Sequence, residues 1–302
     1  MRRATAVLLS LALSTGCPGP GGDDDTAGDD DATADDDATG DDDTTGDDDA
    51  TGDDDDTTGD PALWQPAPGT SWQIQYSGLP IDTSLGVDAY NVDLFDTPDA
   101  TIDQILASGA ALVCYFSAGS WEEWRDDADQ FPDEAIGNPL DGWPGEAWLD
   151  VTDPGVRAIM ASRMDHAVAR GCDAVDPDNV DGYTNQPGFP FGFEDQLDYN
   201  RFLSAEAHAR GLAIGLKNDL AQIGDLAPEF EFAVNEECFY YNECETLMPF
   251  VAAGKAVFSI EYGGEALADL LCPEANALDL DTLIKHLNLD AWRVACREWS
   301  GD

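Results

Sequence analysis

The stretch VDPDNVDGY, Val175–Tyr183, decides how the rest of the chain is read. A short apolar run, Cys172, Ala174 and Val175, ends abruptly in Asp176, Pro177, Asp178 and Asn179. Burying an unpaired carboxylate at the end of an interior strand is costly, so acids placed there point to chemistry. A second run, FAVNEECF (Phe232–Phe239), ends in the same way, in Asn235, Glu236 and Glu237. Two strand ends that each deliver a carboxylate supply what glycosidic bond cleavage needs: one group to donate or accept a proton, one to attack or to activate water.

Outward from these two blocks, apolar runs alternate with helical patterns. The predicted strands are Trp72–Tyr76, Ala89–Leu94, Ala111–Ser117, Cys172–Asp176, Ala213–Lys217, Phe232–Glu236, Ala256–Glu261 and Ala291–Cys296. Several are apolar throughout, as in strands covered on both faces. Helical patterns fall at Thr101–Ser108, Pro154–Arg170, Phe193–Arg210 and Leu247–Ala253, and Gly109, Gly171, Gly211 and Gly254 follow them at the position that ends a helix. A repeated helix–Gly–strand unit implies parallel strands. Eight strands in the residues from 61 to 302 fit an α/β fold of the (β/α)8 TIM-barrel type. A doubly wound open sheet is the alternative, but no Gly-rich phosphate loop follows an early strand.

The N-terminal fifth of the chain reads differently. Residues 1–16 have the form of an export signal, with Arg2 and Arg3 before the apolar Ala4–Leu13. They lead to Cys17, which resembles the lipidated residue of a bacterial lipoprotein. The alternative is ordinary cleavage. Residues 17–60 are dominated by Asp triplets beginning at Asp23, Asp29, Asp35, Asp41, Asp47 and Asp53. Such sequence has nothing to bury and repels itself, so it is expected to be a disordered tether. The chain would be exported, and either held at a cell surface or outer membrane through a Cys17 lipid or secreted.

The formal net charge of the 302 residues is −50. A charge of this sign disfavours nucleic acid and anionic lipid as partners and favours a polycation. Six cysteines besides Cys17 fit an oxidising compartment. Cys238 with Cys244 is expected to close a loop and Cys272 with Cys296 to pin the C-terminus, while Cys114 and Cys172, in predicted strands, read as free core thiols. GxSxG, HExxH and Walker motifs are missing, and no cofactor or metal is expected. His166, His208 and His286 sit in helical patterns without ligand spacing.

In a barrel of this type the active site forms at the carboxyl ends of the strands. Those ends carry Asp93 and Asp96, Tyr115 and Ser117, Asp176 and Asp178, Lys217, Asn218 and Asp219, Asn235 and Glu236, and Glu261 and Tyr262. The blocks YNVDLFDT, CYFSAGSWEEWR, GWPGEAWLDV, GCDAVDPDNVDGY, GLKND, FAVNEECFYYNEC and GKAVFSIEY resemble glycoside hydrolase family 114, the endo-α-1,4-polygalactosaminidases. The resemblance runs from Trp64 to about Tyr262. It implies internal cleavage of α-1,4-linked galactosamine polymers with retention, and its acid pair falls on Asp178 and Glu236.

Asp178 is assigned as nucleophile and Glu236 as general acid/base. Asp176 competes for the first role, because Asp176 and Asp178 share parity and Pro177 is expected to break the strand between them. Asp93, Tyr115, Trp143, Asp176, Lys217, Asn218, Asn235, Glu261 and Tyr262 are the candidate substrate-binding residues. Lys217, alone among acids, is expected to neutralise and position a carboxylate. The protein is expected to be a monomer acting on a cationic galactosaminoglycan. A polysaccharide-binding barrel without catalysis and a structural surface lipoprotein are the competing readings.

Overall fold

The computed structural model describes residues 63–301. The signal, the Asp tract and Cys17 lie outside the described residues.

Alternating units build a barrel. Strands β1 (Trp72–Gln75), β2 (Ala89–Asp93) and β3 (Ala111–Ser117) come first, with helix α1 (Asp99–Ser108) between the last two. A small antiparallel sheet of β4 (Ser120–Glu122), β5 (Ile136–Pro139) and β6 (Glu146–Leu149) follows. Next come α2 (Pro154–Ala169), β7 (Ala174–Asp178), α3 (Phe193–His208), β8 (Ala213–Lys217), α4 (Ile223–Leu226) and β9 (Phe232–Glu236). The chain closes with α5 (Cys238–Tyr241), α6 (Met248–Ala252), β10 (Val257–Tyr262), α7 (Ala268–Ala277), β11 (Asp281–Lys285) and β12 (Arg293–Ala295). Strands β1-β2-β3-β7-β8-β9-β10-β11 lie side by side and parallel, the arrangement of a TIM-type barrel, and β12 pairs antiparallel with β11.

Local chemistry sets the helix boundaries. Asp153 caps α2, its Oδ1 accepting from the amides of Gly155 (2.7 Å) and Val156 (3.2 Å), with Pro154 in the first turn. Gly109 ends α1 in the left-handed region at φ 82°.

Alternation along the strands produces two apolar layers. Ile74, Val113, Ala174, Phe232, Val234, Phe258, Ile260 and Leu283 fill the barrel interior. Tyr90, Leu112, Cys114, Val175, Ile214 and Val257 pack outward against the helices. Because the period is two, the first layer fixes which residues at the strand ends face the barrel mouth. Those are Tyr115 in β3, Asp176 and Asp178 in β7, Lys217 in β8, Glu236 in β9 and Tyr262 in β10.

Three expectations are corrected. The eighth barrel strand is Asp281–Lys285, whereas residues around the expected Ala291–Cys296 form the short antiparallel return β12. Its charged ends hid it. Asp281 is buried because Arg297 Nε (2.9 Å) and the Gly69 amide (2.9 Å) donate to it. Lys285 is buried because it donates to Gln73 Oε1 (3.1 Å) and to the Asp290 carbonyl (2.7 Å). These bonds, with Trp72 Nε1 to the Asp281 carbonyl (2.8 Å), stitch the seam between the first and last strands.

Second, β7 runs through Pro177 to Asp178 instead of ending at Asp176, and both acids keep the inward parity. Third, Cys114 and Cys172 form a disulfide. Cys114 leaves β3 on its outer face, and Cys172 lies just ahead of β7, the neighbouring strand. The expected pairs Cys238–Cys244 and Cys272–Cys296 are both bonded.

Candidate active site

Three neighbouring strands meet at one nitrogen. Lys217, at the end of β8, is 2 % exposed and lies between the ends of β7 and β9. Its Nζ is 3.1 Å from Asp178 Oδ1 and 3.8 Å from Glu236 Oε2. Two oxygens so near one nitrogen are separated by about 7 Å at most, a bound that admits the separation of retaining glycosidases, about 5–5.5 Å, and the short end of the inverting range, about 6.5–9.5 Å. Each acid also receives a phenol on its other oxygen. Tyr115 OH donates to Asp178 Oδ2 (3.1 Å) and Tyr262 OH donates to Glu236 Oε1.

Charge explains why these groups stay as they are. Burial works against the Lys217 cation, but Asp178, Glu236 and Asp176 outweigh it and hold the ammonium well above its ordinary range. Burial first, and then the carboxylates beside them, raise Tyr115 and Tyr262, so both phenols remain donors.

The backbone beneath the pair is held as firmly. The Asp178 carbonyl accepts from the amides of Ala118 (2.9 Å) and Gly119 (3.0 Å). A side chain at Gly119 would sit 1.7 Å from the Asn179 carbonyl, so only glycine permits this approach. Asn218 Oδ1 accepts from the Glu236 amide (2.9 Å). Asn179, Asn218, Asp219 and Glu237, the residues that follow the three strand ends, all have positive φ, between 44° and 63°. Left-handed non-glycine residues cost of order 1–3 kcal/mol each and gather where geometry serves function.

Asp176 lies one inward step deeper. It is fully buried, its Oδ2 accepts from Asn91 Nδ2 (2.8 Å) and Tyr76 OH (3.3 Å), and its Oδ1 has no partner. Burial, opposed by Lys217, pushes it up to about 6. A carboxyl with no exposed surface is poorly placed to attack a sugar, whereas Asp178 and Glu236 keep 19 % and 26 % of their side chains open.

Of the other candidates, Asn218 and Asn235 line the cleft together with Glu236, and Asn235 Nδ2 donates to Asn218 Oδ1 (3.3 Å). Asp93 does not face the cleft as a free acid. Arg125 grips both of its oxygens (3.0 and 2.7 Å) while also holding Glu122, and Asp96 adds a longer contact to the same guanidinium. Glu261 has the outward parity of β10, and its Oε1 accepts from the Phe239 amide (2.8 Å), fixing α5. Trp143 is exposed at the turn before β6 and does not line the cleft.

Residues outside the candidate set complete the site. Tyr76, one residue past β1, and Asn91, in the middle of β2, share the inward parity and hold Asp176. Asp181 lies three residues beyond Asp178, a spacing visible in the opening motif. Glu146, in β6, accepts from Ser120 Oγ (2.8 Å), which in turn contacts Ser117 and Asn179. Nothing in the one-dimensional pattern ties β6 to β7.

The cleft beside the pair measures about 420 Å³. Asp181, Asp219, Glu236, Glu237 and Glu243 line it, and no Lys, Arg or His does. Burial, followed by the Asp181 charge, raises Asp219 to about 8, even though Tyr183 OH (3.2 Å) and Asn200 Nδ2 (2.8 Å) donate to it. Burial, followed by Asp178, raises Asp181 to about 6. Among the described residues, no group of three or more His, Cys, Asp or Glu is arranged to hold a metal, and no helix is long and apolar enough to cross a membrane.

Comparison with known proteins bears on the family and the fold. The model of glycoside hydrolase family GH114 matches residues 54–300. The crystal structure of Aspergillus fumigatus Ega3 in complex with galactosamine is 42 % identical, covers 78 % of this chain and 98 % of its own, and superposes with a TM-score of 0.75. The glycoside hydrolase domain of PelA from Pseudomonas aeruginosa, 15 % identical over 75 % of this chain and 98 % of its own, shares the fold with a TM-score of 0.61. An uncharacterized protein of Deinococcus radiodurans is 26 % identical over 227 residues, 68 % of this chain and 73 % of its own.

The raised acids make stability depend on pH. An acid that keeps its proton to higher pH when folded binds more protons in the folded state than in the unfolded one, so stability falls as pH rises between the two values. Asp176, Asp181 and Asp219, with Glu146 and Glu261 each pushed up to about 7 mainly by burial, act together in this way between about pH 4 and 7. Lys285, lowered to about 7 by burial, acts only above that window. Thermal melts should therefore give a lower Tm at pH 7 than at pH 5, and Asp219→Asn should lessen the difference. An unchanged difference in the variant would mean that Asp219 does not hold its proton.

Proposed function

The chain belongs to glycoside hydrolase family 114, and on that premise we propose that it cleaves internal α-1,4 bonds of cationic galactosamine polymers by a two-carboxylate, retaining mechanism. The observation that carries this reading is the buried ammonium of Lys217 between Asp178 and Glu236. The cleft, whose charged lining residues are all acids, and the relation to Ega3, crystallised with galactosamine, support a substrate bearing free amines.

In the first step Asp178 attacks the anomeric carbon and forms an ester with it. The glycosidic C–O bond breaks, and the departing oxygen takes the proton of Glu236. Tyr262 occupies Glu236 Oε1, which leaves Oε2 to carry that proton. In the second step Glu236 removes a proton from water, the water oxygen bonds to the anomeric carbon, and Asp178 departs as a carboxylate. Within the catalytic pair the negative charge lies on Asp178 before the first step and on Glu236 after it, and Lys217 stands beside both. Its charge is therefore matched in both half-reactions without moving. Preorganised charge of this kind, in a site shielded from water, is a large source of rate enhancement.

Tyr115 fixes the attacking carboxylate and keeps Oδ1 toward Lys217. Asp176, with Tyr76 and Asn91, forms the floor under the pair, and Asn218, itself held by Asn235, accepts from the backbone amide of Glu236.

The purified protein should shorten deacetylated α-1,4-galactosamine polymer and release new reducing ends. Asp178→Asn and Glu236→Gln should each lower kcat by about 10²- to 10⁴-fold while the protein stays folded. Lys217→Met should also lower kcat, by disturbing both steps. An inert wild-type protein would remove the substrate assignment, and full activity in either acid variant would remove that residue from the mechanism.

We further propose export with a lipid on Cys17 and a tether of residues 17–60, which would hold the barrel away from a surface. Labelled palmitate should enter the wild-type chain in its bacterial host and not the Cys17→Ser variant. Equal labelling, or none in either, would count against the lipid.

A further inference from the structure

The wall of the cleft that continues from Glu236 is unusually well braced and carries two exposed aromatic rings. After Glu236 the chain turns through Glu237 (φ 63°) into α5, turns again at Asn242 (φ 58°), and is closed by the Cys238–Cys244 disulfide. The Glu243 amide donates to the Cys238 carbonyl (2.8 Å), and Phe239 is tied to Glu261 across to β10. On this small frame Tyr240 is 70 % and Tyr241 60 % exposed. Their rings meet edge to face, with centroids 4.9 Å apart. Tyr241, with Glu237 and Glu243 beside it, lines the cleft that holds Glu236.

Two adjacent large rings in solvent bury little on folding, yet the turn that carries them is braced by a covalent bond and bounded by two left-handed residues. A ring held rigid at a wet site keeps its face free for an apolar surface at little entropic cost. A sugar of the galacto series offers such a surface in the C–H bonds of one face, and an ammonium on the same ring suits both an aromatic face and a carboxylate.

We propose that Tyr241, supported by Tyr240 and flanked by Glu237 and Glu243, is the platform that binds the amino sugar on the leaving-group side of the scissile bond. The side follows from topology and rests on the glycosidase reading above. Asp178 ends β7 and Glu236 ends β9, with Lys217 of β8 between them. The group that protonates the departing oxygen stands on the leaving-group side, and Tyr241, five residues beyond Glu236, lines the same cleft, so this wall faces the departing sugar. The platform would thus set specificity for an internal bond: a polymer reaches it, and a substrate that ends at the scissile bond does not.

The test compares two substrates in the full-length protein. One is the deacetylated α-1,4-galactosamine polymer; the other is a galactosamine oligomer ending in an α-fluoride, whose leaving group is one atom. Tyr241→Ala should reduce kcat/KM on the polymer roughly tenfold more than on the fluoride, mainly through KM, and Tyr241→Trp should restore most of the loss. Glu237→Gln combined with Glu243→Gln should narrow the preference for free-amine over N-acetylated polymer. Equal losses on polymer and fluoride, or no loss on the polymer, would overturn the platform. Wild-type protein that cuts neither substrate would remove the glycosidase reading, and the platform with it.

Discussion

One buried ammonium organises the mouth of this barrel. A cation with almost no exposed surface is costly unless anions meet it, and Lys217 is met by Asp178 and Glu236 from the strands on either side. The same field would make the two carboxylates repel one another if the lysine were absent. Parallel pairing of β7, β8 and β9 places the three strand ends side by side, and a period of two turns all three groups inward. The phenols of Tyr115 and Tyr262 complete the arrangement from the next strands out. The fold acts on chemistry through register: a one-residue slip of β8 would send Lys217 into the helical layer and leave two acids unbalanced.

Much of this was legible in the sequence, because it follows from the alternation of apolar residues and the acids that end it. The barrel followed from the strand pattern, and the strand ends offered Asp178, Glu236 and Lys217 among other candidates; the choice of Asp178 with Glu236 as the acid pair came from the resemblance to family 114. What stayed hidden depended on partners far away in the chain. Pro177 lies inside β7, where it reads as a strand breaker, so the depth of Asp176 below Asp178 emerged only in three dimensions. β11 was missed because Asp281 and Lys285 look too polar for an interior strand, and their partners Arg297 and Gln73 lie elsewhere. Asp93 and Glu261 carry acids at strand ends as a site would, but Arg125 takes up one and the Phe239 amide the other. The Cys114–Cys172 bond needs the adjacency of β3 and β7, which no local pattern states.

The turns above the strands share a second trait. Asn179, Asn218, Asp219 and Glu237 all take left-handed conformations, and Gly119 lets the loop after β3 lie directly against Asn179. The backbone cost is borne by the packed barrel below, whose interior Phe232, Phe258 and Ile260 are buried. Rigid strands with strained, hydrogen-bonded ends fix the carboxylates more closely than flexible loops would, and catalysis by preorganised charge depends on that closeness. The acids along the cleft have the opposite character. They crowd together, and Asp181, Asp219 and Glu237 among them are raised first by burial, a state that a cationic sugar chain would relieve.

The most direct test is to identify the covalently attacked residue. A 5-fluoro galactosaminyl fluoride slows the second step more than the first, so the glycosyl-enzyme should accumulate and be found by peptide mass spectrometry. The account predicts one adduct, on Asp178, formed at a much lower rate in Lys217→Met. An adduct on Asp176, or turnover with inversion and no adduct at all, would contradict it.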